Sequence, residues 1–192
     1  MGFHHFATDG LRRSERIQQW TARQILNSKV VDEKRESSLE WELKHSSGVT
    51  VIARILAQKR RVDEELAVTA ACLHDIYVIV SGSYGDHARL GVPIAKQALE
   101  EGGDFSRLEI DAICDAIKSH SDKHIYGTSA LSELVKDADV LDCFFYGDHI
   151  YDEKPDELKV HYLRRVILIR RELGLPDLPA HLNEFKKLGG AL

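Results

Sequence analysis

The chain has 192 residues, 43% of them hydrophobic and 30% charged, with a formal net charge of −5. That length and composition suit a globular protein of one domain. The acidic balance argues against a nucleic-acid polymer as partner, and no stretch approaches the ~18 apolar residues of a membrane span. In chain order, Asp9 to Ser14 leads into a helix ending near Asn27. Ser37 with Glu40 reads as a capping box opening a long helix to about Arg60. Asp63 is a good N-cap for a helix running to about Ile76, and the loop SGSYG follows. Asp86 caps a helix that stops at Gly102-Gly103. Ser106 with Glu109 is a second capping box, and its helix reaches about His120. Thr128 or Ser129 starts a helix ending near Gly147. Pro155 suits a first helical turn, and that helix runs to Gly174. The tail, with Pro176 and Pro179, allows one short final helix.

No linker rich in Gly, Pro or Ser divides these helices. The sequence therefore predicts a single-domain, all-α multi-helix bundle. Residues 1–36 form a helical extension, 37–150 carry the site described next, and the helices of 151–192 pack on the same domain. The run VHYLRRVILIRREL either covers the domain or makes a homodimer surface. Cys72, Cys114 and Cys143 lack metal-knuckle or redox spacing, and an odd number is poor material for a disulfide framework. A reducing cytoplasm is the simple expectation. The opening MGFHHFATDG lacks the apolar core of a secretory signal.

The informative residues interrupt the apolar stripes. His45 shares a face with Val49, Ile52 and Leu56. His87 lines up with Gly91, Ile94 and Ala98, His120 with Ile113, Ala116 and Ile117, and Asp139 with Leu131 and Val135. LAVTAACLH is apolar nearly all round, so it should be buried, and it ends in His74-Asp75. Taken singly, each has a bland reading. One histidine on an apolar face is more often a hydrogen-bonded core residue. His120 at a helix end could simply complement the dipole. Roughly one His-Asp dipeptide is expected by chance in such a chain.

Jointly they are harder to dismiss. Five helices each direct an imidazole or carboxylate toward the core, and burying so many unpaired polar groups costs several kcal/mol. A shared cation satisfies them together. Asp75 at a helix C-terminus and His87 in a first turn both oppose the helix dipole, and a metal would reconcile both. Imidazole and carboxylate without thiolate suit Fe, Mn, Ni, Co or Zn, and Mg less well. Such a site leaves positions open for water and substrate, as catalysis requires. Lys123 and Arg54 are candidate substrate contacts, each with the alternative of an ordinary solvated cation. Asp142, one turn beyond Asp139, either holds a ligand in orientation or is a surface charge.

The order His45, His74-Asp75, Asp139 resembles the signature of the HD superfamily of metal-dependent phosphohydrolases. EELAVTAACLHDI is similar to that family's buried helix, and LVKDADVLD to its last ligand helix. The resemblance spans roughly Glu40 to Asp148. GDHARLGVPIA and AICDAIKSH resemble the segments that supply two further histidines in binuclear members, which implies His87 and His120 as ligands of a second ion. The resemblance thus implies one or two divalent transition metals, Asp75 bridging them or holding the nucleophile, and a small phosphorylated substrate such as a nucleotide. Other members of the superfamily are di-iron oxygenases, and a non-catalytic nucleotide-binding regulator is a further alternative. This chain departs from the binuclear pattern in having Val78 where many members carry Lys three residues after His-Asp. It also lacks a GYP-type motif after His120, which argues against cyclic-dinucleotide cleavage.

Overall fold

The most apolar segment of the chain becomes its centre. In the computed structural model, which describes residues 6, 9–102, 104–147 and 154–178, every residue from Ala67 to Leu73 is buried. Among the described residues the helices are α1 (Arg13–Leu26), α2 (Leu39–Arg60), α3 (Glu64–Leu73), α4 (Ile76–Ser81), α5 (His87–Gly102), α6 (Arg107–Ser119), α7 (Ala130–Phe145) and α8 (Asp156–Glu172). Among the described residues a single 3-10 turn covers Asp32–Lys34, and there is no strand. The architecture is all-α, as the helical periodicity predicts. No described helix is long and apolar enough to cross a membrane.

Helix α3 packs against α1, α2, α6 and α7. Its small side chains, Ala67, Ala70 and Ala71, are fully buried and let the surrounding helices come close. Ile17 and Ile25 of α1 and Leu163, Val166 and Ile169 of α8 join the same core as Val49, Leu56, Ile113 and Leu134. The helices before and after the central bundle therefore share its hydrophobic cluster.

Local chemistry sets the boundaries. The Ser106–Glu109 capping box is present, with Ser106 N–H donating to the Glu109 carboxylate at 2.7 Å. Asp63 caps α3 and Ser129 caps α7. Two expectations are corrected. Ser38, not Ser37, caps α2, accepting from Trp41 N–H at 3.1 Å, while Ser37 donates to the buried Glu42 carboxylate. The helix through His74 does not run on to Ile76. It stops at Leu73, Asp75 leaves helical geometry (φ −103°, ψ 22°), and a separate helix α4 runs from Ile76 to Ser81, the first residue of the expected loop. Asp75 is thus the N-cap residue of α4 as well as following α3, so its conflict with a helix dipole is smaller than the sequence implies. The short α4 is held from outside. The Arg35 guanidinium donates to its last carbonyls, at 2.8 Å to Val78 and 3.1 Å to Ile79. The final helix expected in the tail lies outside the described residues.

Candidate metal centre

The break between α3 and α4 puts Asp75 where four imidazoles meet. His45 comes from α2, His74 from the end of α3, His87 from the start of α5 and His120 from the end of α6. His87 reaches the centre because α5 lies close against α4. A Cβ at Gly91 would stand 3.3 Å from the Ile76 side chain, so glycine there lets the helices approach.

The geometry falls into two halves about one carboxylate. His45 and His74 bring their Nε2 atoms to 3.2 Å from each other. Asp75 Oδ2 lies 3.3 Å from His74 Nε2 and 3.7 Å from His45 Nε2, and Asp139 Oδ1 is 3.4 Å from His45 Nε2. On the other side His87 and His120 bring Nε2 atoms to 3.1 Å. Asp75 Oδ1 is 3.3 Å from the first and 3.2 Å from the second. Two sets of potential ligand atoms result: His45, His74 and Asp139, and His74, Asp75 and His120.

Partners on the far side of each ring fix the tautomers. Nδ1 of His74, His87 and His120 donates to the carbonyls of Ala71, Tyr84 and Ile117, at 2.7, 2.8 and 2.6 Å. Nδ1 of His45 donates to Asp142 Oδ2 at 2.7 Å. In the neutral rings every Nε2 lone pair therefore faces inward, toward other lone pairs and carboxylates. Asp75 Oδ1 is buried and receives no hydrogen bond. Acceptors facing acceptors in a buried site is the donor set a cation requires. The four histidines and two aspartates fit one or two divalent ions.

In the absence of a metal, protons would answer this conflict. Burial works to lower the His45 pKa, but Asp139 and Asp142 outweigh it and push it up to about 10. Burial lowers His120 to about 4, which keeps that ring neutral. Burial alone would raise Asp75 and Asp139. The neighbouring His74 for the first, and the Lys123 ammonium for the second, help hold both carboxyls well below the usual range.

The centre opens on a cavity of about 290 Å3 lined also by Trp41, Tyr84, Ser121, Lys123, Cys143, Lys154 and Tyr162. Trp41 stacks on His45 with ring centroids 5.2 Å apart. A larger cavity, about 380 Å3, lies between α1 and α2, but no imidazole or carboxylate lines it. Among the described residues, the histidine and aspartate cluster opens on the smaller one.

Of the expected substrate contacts, Lys123 reaches the site and Arg54 does not. Lys123 is buried. Its ammonium donates to Asp139 Oδ2 and to the His120 carbonyl. Asp139 thereby keeps Oδ1 for the centre. Arg54 is two and a half turns from His45, which places it on the opposite side of α2. There it pairs with Glu64 at 3.0 Å. Sequence reasoning missed Ser121, whose neighbour His120 carries all the signal. It also missed Arg165, which is buried and donates to the Lys123 carbonyl at 2.8 Å, Asp137 at 2.8 Å and Glu133 at 2.8 Å. Its place among Leu163, Val166 and Ile169 on the buried side of α8 is the signal that could have found it.

A helical bundle that gathers four histidines and Asp139 around the shared Asp75 carboxylate offers a ligand set for metal. The HD domain model matches residues 43–143, and the chain belongs to the HD family, a superfamily of metal-dependent phosphohydrolases. No solved structure matches the chain.

Proposed function

We propose that this protein hydrolyses a nucleotide or another small phosphate ester, with His45, His74, Asp75 and Asp139 holding one divalent transition metal and His87, His120 and Asp75 a second. The observation that carries this reading is the convergence of four inward-facing Nε2 atoms on the two oxygens of Asp75, at the wall of an open cavity. Bound there, such ions lower the pKa of a coordinated water and polarise a phosphoryl oxygen.

The chain's own groups supply the rest. Asp75 is held anionic and offers one oxygen to each half of the site. Lys123 stands beside Asp139 on the cavity wall, so it can place a positive charge near a bound phosphate. Val78 is fully buried in α4, and Lys123 supplies from another element the cation that many binuclear members carry at that position. Lys154 adds a second ammonium, and Trp41, Tyr84 and Tyr162 offer flat surfaces for a base or other apolar group. The cavity is at the lower end of ligand pockets, which run from roughly 300 to 1,000 Å3, and this favours one nucleotide over a bulky polyphosphate.

The test is elemental analysis of protein purified without chelator, beside a His74→Ala/Asp75→Ala variant. The wild type is expected to hold one or two transition metals per chain and the variant almost none. With the metal restored, phosphate release is then screened over nucleoside monophosphates and other small esters in Fe, Mn, Ni, Co and Zn. A metal-free wild type whose stability does not respond to these ions would overturn the reading. Oxygen uptake without phosphate release would replace it with an oxygenase.

A further inference from the structure

We infer that Ser121 supplies a ligand to the second metal position, through its hydroxyl oxygen. The inference rests on the two-metal reading above and adds to it. Ser121 Oγ lies 3.1 Å from His87 Nε2 and 3.3 Å from His120 Nε2. Those two nitrogens are 3.1 Å apart, and each is 3.2–3.3 Å from Asp75 Oδ1. Five of the six edges of a four-atom figure are therefore between 3.1 and 3.3 Å. Asp75 Oδ1 and Ser121 Oγ thus each close a near-equilateral triangle on the same pair of nitrogens, and edges of this length are the spacing of donors held about 2.0 Å from a tetrahedrally coordinated zinc.

An ordinary hydrogen bond accounts for this arrangement less well. The hydroxyl has one proton, and it faces two imidazoles whose Nδ1–H groups are already given to the Tyr84 and Ile117 carbonyls. One proton cannot serve both Nε2 atoms and the unbonded Asp75 Oδ1. A cation at the centre of the four atoms serves all of them.

The serine is also held in place. The turn after α6 is closed by Asp122 N–H to the Ser119 carbonyl at 3.1 Å and by Lys123 N–H to the Ser121 carbonyl at 2.9 Å. Arg165 then fixes the Lys123 carbonyl from α8.

The two positions differ in consequence. The first draws on two carboxylates, Asp75 and Asp139. The second has only its share of Asp75, and its fourth donor is a neutral hydroxyl. It is expected to bind metal more weakly and to depend on that hydroxyl.

The experiment is a calorimetric titration of metal-free protein with zinc, with bound metal counted after gel filtration. Wild type, Ser121→Ala and Ser121→Thr are compared, and circular dichroism checks that each is folded. Two steps are expected for wild type. Ser121→Ala should leave the first unchanged and weaken the second by at least about tenfold. Ser121→Thr, which keeps the hydroxyl, should restore it. Two unchanged steps in Ser121→Ala would overturn the inference and leave the two-metal reading intact. A single step in wild type would also overturn it, leaving a one-metal hydrolase. A wild type that binds no zinc, and none of the other ions, would overturn both.

Discussion

At the scale of single residues, the centre is organised by what each ring does with its outer nitrogen. Three carbonyls and the Asp142 carboxylate hold the Nδ1 protons, so Nε2 is left to the interior. His45 and His120 differ in charge. The His45 pKa of about 10 means that the metal-free protein carries a proton there at pH 8. A metal must displace that proton, so binding releases it. Zinc titrations at pH 8 in buffers of different ionisation enthalpy should report close to one proton released per first ion, and buffer-independent heats would show His45 already neutral. The same shift gives a sign for stability. A raised imidazole pKa stabilises the metal-free fold fully below 6.5, and that contribution is lost as the pH rises through about 10. Thermal melts of metal-free protein at pH 7 and pH 9 should therefore show a drop that His45→Gln lacks.

At the scale of elements, close approach between helices does work that polar residues are usually credited with. Asp142 of α7 reaches His45 only because α2 offers no side chain at Gly48. A Cβ there would stand 1.8 Å from Asp142 Oδ1 and 2.7 Å from its Cγ. The obstacle is the end of a side chain, which can swing aside, so Gly48→Ala should still fold. The displaced carboxylate would no longer hold His45 Nδ1. Metal affinity at the first position should fall by about 10–100-fold, the usual cost of losing such a partner. Asp142→Asn should show a loss in the same direction, and unchanged zinc affinity in both variants would mean that the bond does not orient His45. Gly48 sits in a helix with no turn to explain it, so the sequence shows a weak helix former without showing why.

At the scale of the whole molecule, the bundle and its C-terminal helix are joined by a buried ionic network. Arg165 of α8 binds Glu133 and Asp137 of α7 and the carbonyls of Lys123 and Ile125. Arg60 of α2 adds a pair to Asp137 at 2.8 Å and one to Glu172 at 2.7 Å. Removing one partner of a buried pair leaves the other charge uncompensated, at about 3–5 kcal/mol. Arg165→Met should lower stability to chemical denaturation by that order and should loosen the segment carrying Ser121 and Lys123. A loss under 1 kcal/mol would place the network's role elsewhere. Metal acts in the opposite direction. At a free concentration of 100 times Kd an ion that binds only the folded state adds about 2.7 kcal/mol. For a chain of this size that is a rise in Tm of roughly 5–10 °C. The rise should disappear in the His74→Ala/Asp75→Ala variant.

The sequence by itself determined the helices, because a 3.6-residue apolar period and cap residues such as Asp63, Ser106 and Ser129 act over a few neighbouring positions. It also marked His45, His74, Asp75, His87, His120 and Asp139, since polar groups on buried faces cost free energy that local structure cannot offset. It misjudged Ser37 and the reach of the helix through His74, where two adjacent serines compete for one cap and where a helix is broken to aim a carboxylate. Only the tertiary structure decided what stands across from what. It carried Arg54 to the far side of α2, brought Lys123 and Ser121 to the centre from a turn, and set Asp142 behind His45. Contacts of that kind join residues 97 positions apart, and no periodicity within one helix can encode the partner that packing supplies from another.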